Sequence, residues 1–123
     1  MKIVEGVFMK NFENLDVWIR AKDLAVEVCR AVSACRNLGF QDQIMRSSIS
    51  VPSNIAEGAE RNGKKEFIYF LGIAKGSLGE LRTQLIIGKE LGCFDISSSE
   101  MWIKESRELS KMIYGLINSL KPA

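Results

Sequence analysis

The residues of this chain best suited to chemistry are cations. Arg61, Lys64 and Lys65 flank an Asn62-Gly63 turn, and Lys75, Arg82 and Lys89 recur every seven residues, which keeps them on one side of a helix. Such clusters bind phosphate backbones by releasing counterions, a term set by charge and scarcely by sequence. Residues 61–92 carry six Lys/Arg against three Asp/Glu, residues 1–60 seven against eight, and residues 93–123 four against four. The whole positive excess behind the net charge of +2 therefore lies in one segment. For a monomer of this charge, ordinary surface lysine is the plainer reading. A ring of identical subunits would repeat each patch into a continuous basic surface.

A second group is polar and smaller. Arg46, Ser50, Ser53, Asn54 and Glu57 supply donors and acceptors on one half of a helix, and Arg46 could pair with Glu57 or Glu60. Either this is a solvated face or it is a polar network that fixes packing between helices or subunits. It defines no reaction, because serine without a base and glutamate without a partner acid or metal complete no mechanism. The chain contains no histidine, so the commonest general base and transition-metal ligand are both missing. A di-iron bundle, which uses Glu-x-x-His pairs, is disfavoured on the same ground. The sequence thus predicts a protein that is not an enzyme, with no cofactor and no metal site.

Four helices are expected to position these groups. From Leu15 to about Arg36, Trp18, Ala21, Ala25, Val28, Val32 and Cys35 form a heptad seam, with Asn14 as cap. Asn37 to Phe40 reads as a short connection, and a second helix begins near Asp42 and runs to about Asn62. On a helical wheel its Ile44, Met45, Ser48, Ile49, Val51, Pro52, Ile55, Ala56 and Ala59 share one half. Arg46, Ser47, Ser50, Ser53, Asn54, Glu57, Glu60 and Arg61 share the other. Pro52 in the middle costs about 3 kcal/mol in an ordinary helix and kinks it, so packing must offset the loss.

A third helix starts at Lys64, with Phe67, Leu71, Ala74, Leu78, Leu81 and Leu85 as its seam, and stops at Gly92. It also carries an apolar line, Tyr69, Ile73, Ile87 and Leu91, beside a line of small residues, Gly72, Gly76, Gly79 and Thr83. Helix-interior glycine costs up to about 1 kcal/mol relative to alanine, so close approach of another backbone is expected there, within the bundle or across a subunit boundary. Tyr69, Ile73, Gly76, Ile87 and Leu91 are accordingly the candidate oligomer interface. Ser97 and Glu100 read as a capping box opening a fourth helix, whose seam is Trp102, Ser106, Leu109, Ile113, Leu116 and Leu120.

The expected architecture is all-α: an antiparallel up-down-up-down four-helix bundle over residues 14–121, preceded by an arm, residues 1–13, whose aromatics can dock on it. At 123 residues the chain suits one domain with a single core. No apolar run approaches the roughly 18 residues of a membrane span, and Glu5 interrupts the short apolar start, so no signal peptide is read and the cytoplasm is expected. Cys29, Cys35 and Cys93 are odd in number without metal spacing and read as small core residues.

Several stretches together resemble one bacterial family of four-helix bundles, the 23S rRNA-intervening sequence proteins. They are Gln43-Ile44-Met45-Arg46, Ser50-Val51-Pro52-Ser53-Asn54-Ile55-Ala56-Glu57-Gly58 and Ile73-Ala74-Lys75-Gly76-Ser77-Leu78-Gly79-Glu80-Leu81, joined by Phe12, Leu15, Val17-Trp18, Phe67, Leu71 and Gln84-Leu85. The resemblance spans about Phe12 to Leu91. A related branch, the accessory variability proteins of diversity-generating retroelements, forms pentameric barrels that bind nucleic acid and a reverse transcriptase through basic surfaces. The resemblance implies a homopentamer with RNA or DNA, and a reverse transcriptase or ribosomal component, as partners, and no membrane. A protein interaction scaffold without nucleic-acid affinity is the alternative.

Overall fold

The computed structural model describes residues 11–123. Four helices follow one another: α1 Asp16–Ala31, α2 Leu38–Ala59, α3 Lys64–Glu90 and α4 Ile96–Leu120. Each packs on its sequence neighbours, and α1 closes the ring against α4. The cross-contacts run in opposite directions along each pair: Ser50 meets Ser77 while Ser47 meets Gln84, and Arg20 meets Glu105 while Glu27 meets Trp102. This is the expected antiparallel up-down-up-down bundle, and no strand occurs among the described residues.

The seams bury as their spacing requires. Phe67, Leu71, Ala74, Leu78, Leu81 and Leu85 of α3 are all in the core, joined by Ile44, Val51 and Ile55 of α2 and by Leu109 and Ile113 of α4. In α1 the buried stripe also takes Val17 and Leu24, so it is wider than the heptad seam, and Trp18 is only half-buried. Pro52 lies inside α2 and is buried, so its ring fills the core in place of the backbone bond it removes.

Helix ends differ from the expectation at five places. Asn14 does not cap α1: it sits in a 3-10 turn, Phe12–Asn14, where Asn11 accepts from the Glu13 N–H and Phe12 sets its ring edge-on to Trp18, centroids 5.1 Å apart. Phe12 is thus the docked aromatic of the expected arm, whereas Phe8 and Met9 lie outside the described residues. α1 stops at Ala31, and a second 3-10 turn, Val32–Ala34, takes the place of its expected last turn. Asn37 to Phe40 is not a connection, because Asn37 accepts from the Phe40 N–H at 2.9 Å and starts α2 at Leu38. That cap satisfies an otherwise orphan donor and outweighs the penalty of Gly39 in the first turn.

α2 ends at Ala59, short of Asn62. Gly63 then adopts φ 152°, which side chains rarely tolerate, and makes the turn into α3. The cap of α4 is Asp95 rather than Ser97: its carboxylate accepts from both the backbone N–H and the hydroxyl of Ser98. These bonds hold the Asp95 carboxyl below its usual pKa. Glu100 is drawn across to Lys89 instead of back to its own helix start.

The three cysteines are free thiols, Cys35 buried and Cys29 and Cys93 half-buried. Burial first, and its contact with the Cys93 thiol second, push the Cys35 thiol up to about 12. An unfolded chain ionises this thiol near 9.0, so its burial stabilises the fold below that pH and the contribution is lost as pH rises toward 12. Native alkylation with iodoacetamide at about pH 8 should leave Cys35 unmodified, since only thiolate reacts, while labelling in denaturant goes to completion by peptide mass. An adduct on Cys35 in the folded protein would contradict its burial.

Candidate nucleic-acid interface

The six candidate cations do not form one site. Arg61, just beyond α2, is held by its own helix: Nη2 and Nε donate to Glu57 Oε2 at 2.7 and 3.0 Å, Glu66 lies 3.9 Å away, and the guanidinium sits 4.9 Å from the Phe70 ring centre. The Glu57 hydrogen bond raises its pKa. Lys64 and Lys65 extend from the first turn of α3 and make no ion pair among the described residues. The positive end of the helix dipole adds to their field.

Lys75, Arg82 and Lys89 share one side of α3, the side that meets α4. Arg82 turns inward, where Nε donates to the Ser106 hydroxyl at 2.8 Å and Nη2 to the Ser106 carbonyl at 3.1 Å. Burial, followed by the charge of Arg107, lowers its pKa. It acts first as a clamp between helices. Lys89 reaches Glu100 at 3.2 Å. Lys75 joins Ser110, Lys111 and Tyr114 of α4 around a shallow cavity of about 230 Å³ that no carboxylate lines.

Arg107 and Lys111 were not among the sequence candidates. The signal was present, because Arg107 and Lys111 are spaced by four residues and so share a helix face. Arg107 lines a second cavity of about 370 Å³ on the same groove with Lys89, Glu90 and Glu100, so there the cations are met by acids.

The other side of α4 has the opposite character. Between α1 and α4 runs a cleft of about 560 Å³ whose charged lining is Asp23, Glu27, Glu105 and Glu108 with Lys104. Arg20 lies among them, its Nη2 2.6 Å from Glu105 Oε1, and that hydrogen bond raises its pKa. The Trp102 indole donates to Glu27 at 3.0 Å. The α1 side of α4 is therefore rich in carboxylate, four against Arg20 and Lys104, whereas on the α3 side the Lys75–Lys111 cavity has none and the Arg107 cavity has two.

The polar group on α2 splits. Ser50 and Ser77 hydroxyls lie 2.9 Å apart, and the Asn54 amide donates to both the Ser50 hydroxyl and the Ser50 carbonyl, tying α2 to α3. Arg46 pairs with Asp42 in its own helix and not with Glu57 or Glu60, while Glu57 is taken by Arg61. Ser53 is exposed. Ser47, expected on the polar half, is buried and donates to Gln84 at 2.6 Å, because α3 crosses α2 on that side. Met45 and Ile49, expected on the apolar half, are exposed.

The candidate interface on α3 faces outward. Tyr69 is 65% exposed, Leu91 70%, Ile87 44% and Ile73 37%, and a Cβ added at Gly72, Gly76 or Gly79 would meet nothing within 4 Å. The close approach that these glycines could serve is thus not made inside the bundle. The glycines that are tightly packed are Gly58, beneath Phe67 and Phe70, and Gly88, beneath Phe94.

These features define a class, an antiparallel four-helix bundle with one acidic seam, one basic groove and an uncovered apolar helix face. The profile of the 23S rRNA-intervening sequence protein family matches residues 13–115, and the chain belongs to that family. It is similar in fold to a crystal structure from Bacteroides thetaiotaomicron, a protein of unknown function from the S23 ribosomal protein family. The two share 22% identity and a TM-score of 0.78 over 82% of this chain and 97% of the other. No curated protein matches the chain. No helix among the described residues is long and apolar enough to cross a membrane.

Proposed function

We propose that this chain is a non-enzymatic helical bundle that assembles into a ring and binds RNA, or a nucleic-acid-containing partner, by electrostatics. The observation that supports it is the imbalance of charge across α4: four carboxylates gather around Arg20 and Lys104 between α1 and α4, while in the α3–α4 groove Lys75 and Lys111 share a cavity with no carboxylate in its lining. Lys64 and Lys65 extend the cationic surface at the start of α3. A polyanion is attracted to such a face, and the ring multiplies the attraction by bringing identical grooves together.

No catalytic step belongs to this reading, since the serines have no histidine to activate them. The uncovered apolar face of α3 supplies the surface through which copies would associate, as a pentamer by family resemblance. On the same resemblance the nucleic acid reaches the ring as ribosomal RNA or together with a reverse transcriptase, and the protein acts in the cytoplasm. A gene inside an rRNA locus or beside a reverse transcriptase would be the matching genomic context.

Fluorescence anisotropy with a structured RNA at rising salt tests the proposal. The expected result is a Kd tighter than about 0.1 mM at low salt, with log K falling against log salt at a slope of about −3 for three to four phosphate contacts. Affinity that ignores salt, or none at low salt, sinks it. The exposed line of Tyr69, Ile73, Ile87 and Leu91 would then favour a protein interaction scaffold without nucleic-acid affinity.

A further inference from the structure

Of the two cavities along the α3–α4 groove, only one leaves its cations unanswered. Around Lys89 and Arg107 stand Glu90 and Glu100, whereas Lys75 of α3 and Lys111 of α4 line one cavity with no acid in the lining and no ion pair among the described residues. An anion placed in that cavity is attracted by both cations. Ser110 adds a hydroxyl donor to the same wall.

Tyr114 completes the lining, 59% exposed, so its ring offers a flat apolar surface immediately beside the lysine pair. A lone phosphate has no use for such a ring. A nucleotide does, provided its base is unpaired and can leave its own stack, as only a single strand allows without the cost of opening a duplex.

We infer that the cavity between Lys75, Ser110, Lys111 and Tyr114 is a single-strand nucleic-acid subsite, which holds one backbone phosphate between the two lysines and stacks the adjoining base on Tyr114. The inference rests on the nucleic-acid reading above and adds the strand state and the residues. Stacking tolerates any base, so the subsite selects unpaired strand over duplex and carries little sequence preference.

The test is fluorescence anisotropy on the full-length chain with a labelled oligouridylate of about 20 nucleotides and an RNA duplex of the same length, each with uridine monophosphate as competitor. Tyr114→Ala and Lys111→Ala should each weaken oligouridylate binding about fivefold or more, Tyr114→Phe should stay within about twofold of the original, and Tyr114→Ala should leave the duplex unaffected. These positions are exposed, and thermal melts of each variant confirm folding. If the chain binds RNA but neither alanine variant moves oligouridylate affinity, the subsite is wrong and the wider proposal stands. If no probe binds, both fall. Competition by the mononucleotide at the same concentration of phosphate would assign the cavity to free nucleotides and overturn the strand assignment.

Discussion

Gly58→Val is expected to cost about 3 kcal/mol of folding free energy, the upper end of overpacking penalties, and to lower the midpoint of thermal unfolding by roughly 10 °C. A Cβ at Gly58 would lie 2.8 Å from Phe70 Cβ, 3.0 Å from Phe67 Cδ1 and 3.3 Å from the Phe67 Cα. Two of these atoms belong to or adjoin the α3 backbone, so rotating a side chain cannot relieve the clash, and the helices must separate. They cannot separate locally, because Ser47 to Gln84 and Ser50 to Ser77 fasten α2 to α3 further along.

Gly58→Ala meets the same contact with one carbon and gains helix propensity of up to about 1 kcal/mol, so it should cost less than valine does. Gly88→Ala is milder still in kind, since its close neighbours are atoms of the Phe94 ring, which can tilt. Denaturant melts of the three variants rank these effects. A Gly58→Val protein as stable as the original would mean that α2 and α3 do not pack as described.

The architecture was legible wherever a single repeat governed a helix. All six seam residues expected on α3 are in the core, because α3 is flanked by α2 and α4 and its buried stripe coincides with the repeat. On α2 the same reasoning misplaced the boundary of the buried face. Ser47 and Gln84 satisfy each other, so a polar pair enters the core where a hydrophobicity count sees only polar residues. Conversely, Met45 and Ile49 are apolar but exposed.

Helix ends were missed where one side chain decides the matter. Asn37 overrides Gly39, and Asp95 overrides Ser97. At the basic groove the obstacle was averaging. Residues 93–123 hold four cations and four carboxylates, a neutral tally that conceals Glu105 and Glu108 facing α1 while Arg107 and Lys111 border α3. Charge read by segment cancels, and charge read by helix face does not.

The triple variant Gly72→Ala, Gly76→Ala, Gly79→Ala separates assembly from folding and carries the largest expected effect on oligomeric state. Each glycine lies within α3 and costs up to about 1 kcal/mol relative to alanine, so the isolated bundle forgoes as much as about 3 kcal/mol by keeping all three. Nothing inside the bundle justifies that loss, since added methyl groups would meet no atom within 4 Å. In the ring proposed above the offset comes from outside the chain, where a bare helix surface would let a second backbone approach closely beside the exposed Tyr69, Ile73 and Ile87. Three methyl groups would hold that backbone away, so the variant should sediment and scatter light as a monomer while the original chain does so as an oligomer. The freed monomer should also resist denaturant better than an original monomer compared at the same dilution, where mass action no longer adds stability to the assembly. An original chain that is already monomeric at high concentration, or a variant that assembles as before, would remove the ring. It would also remove the multiplied basic surface that the proposed function requires.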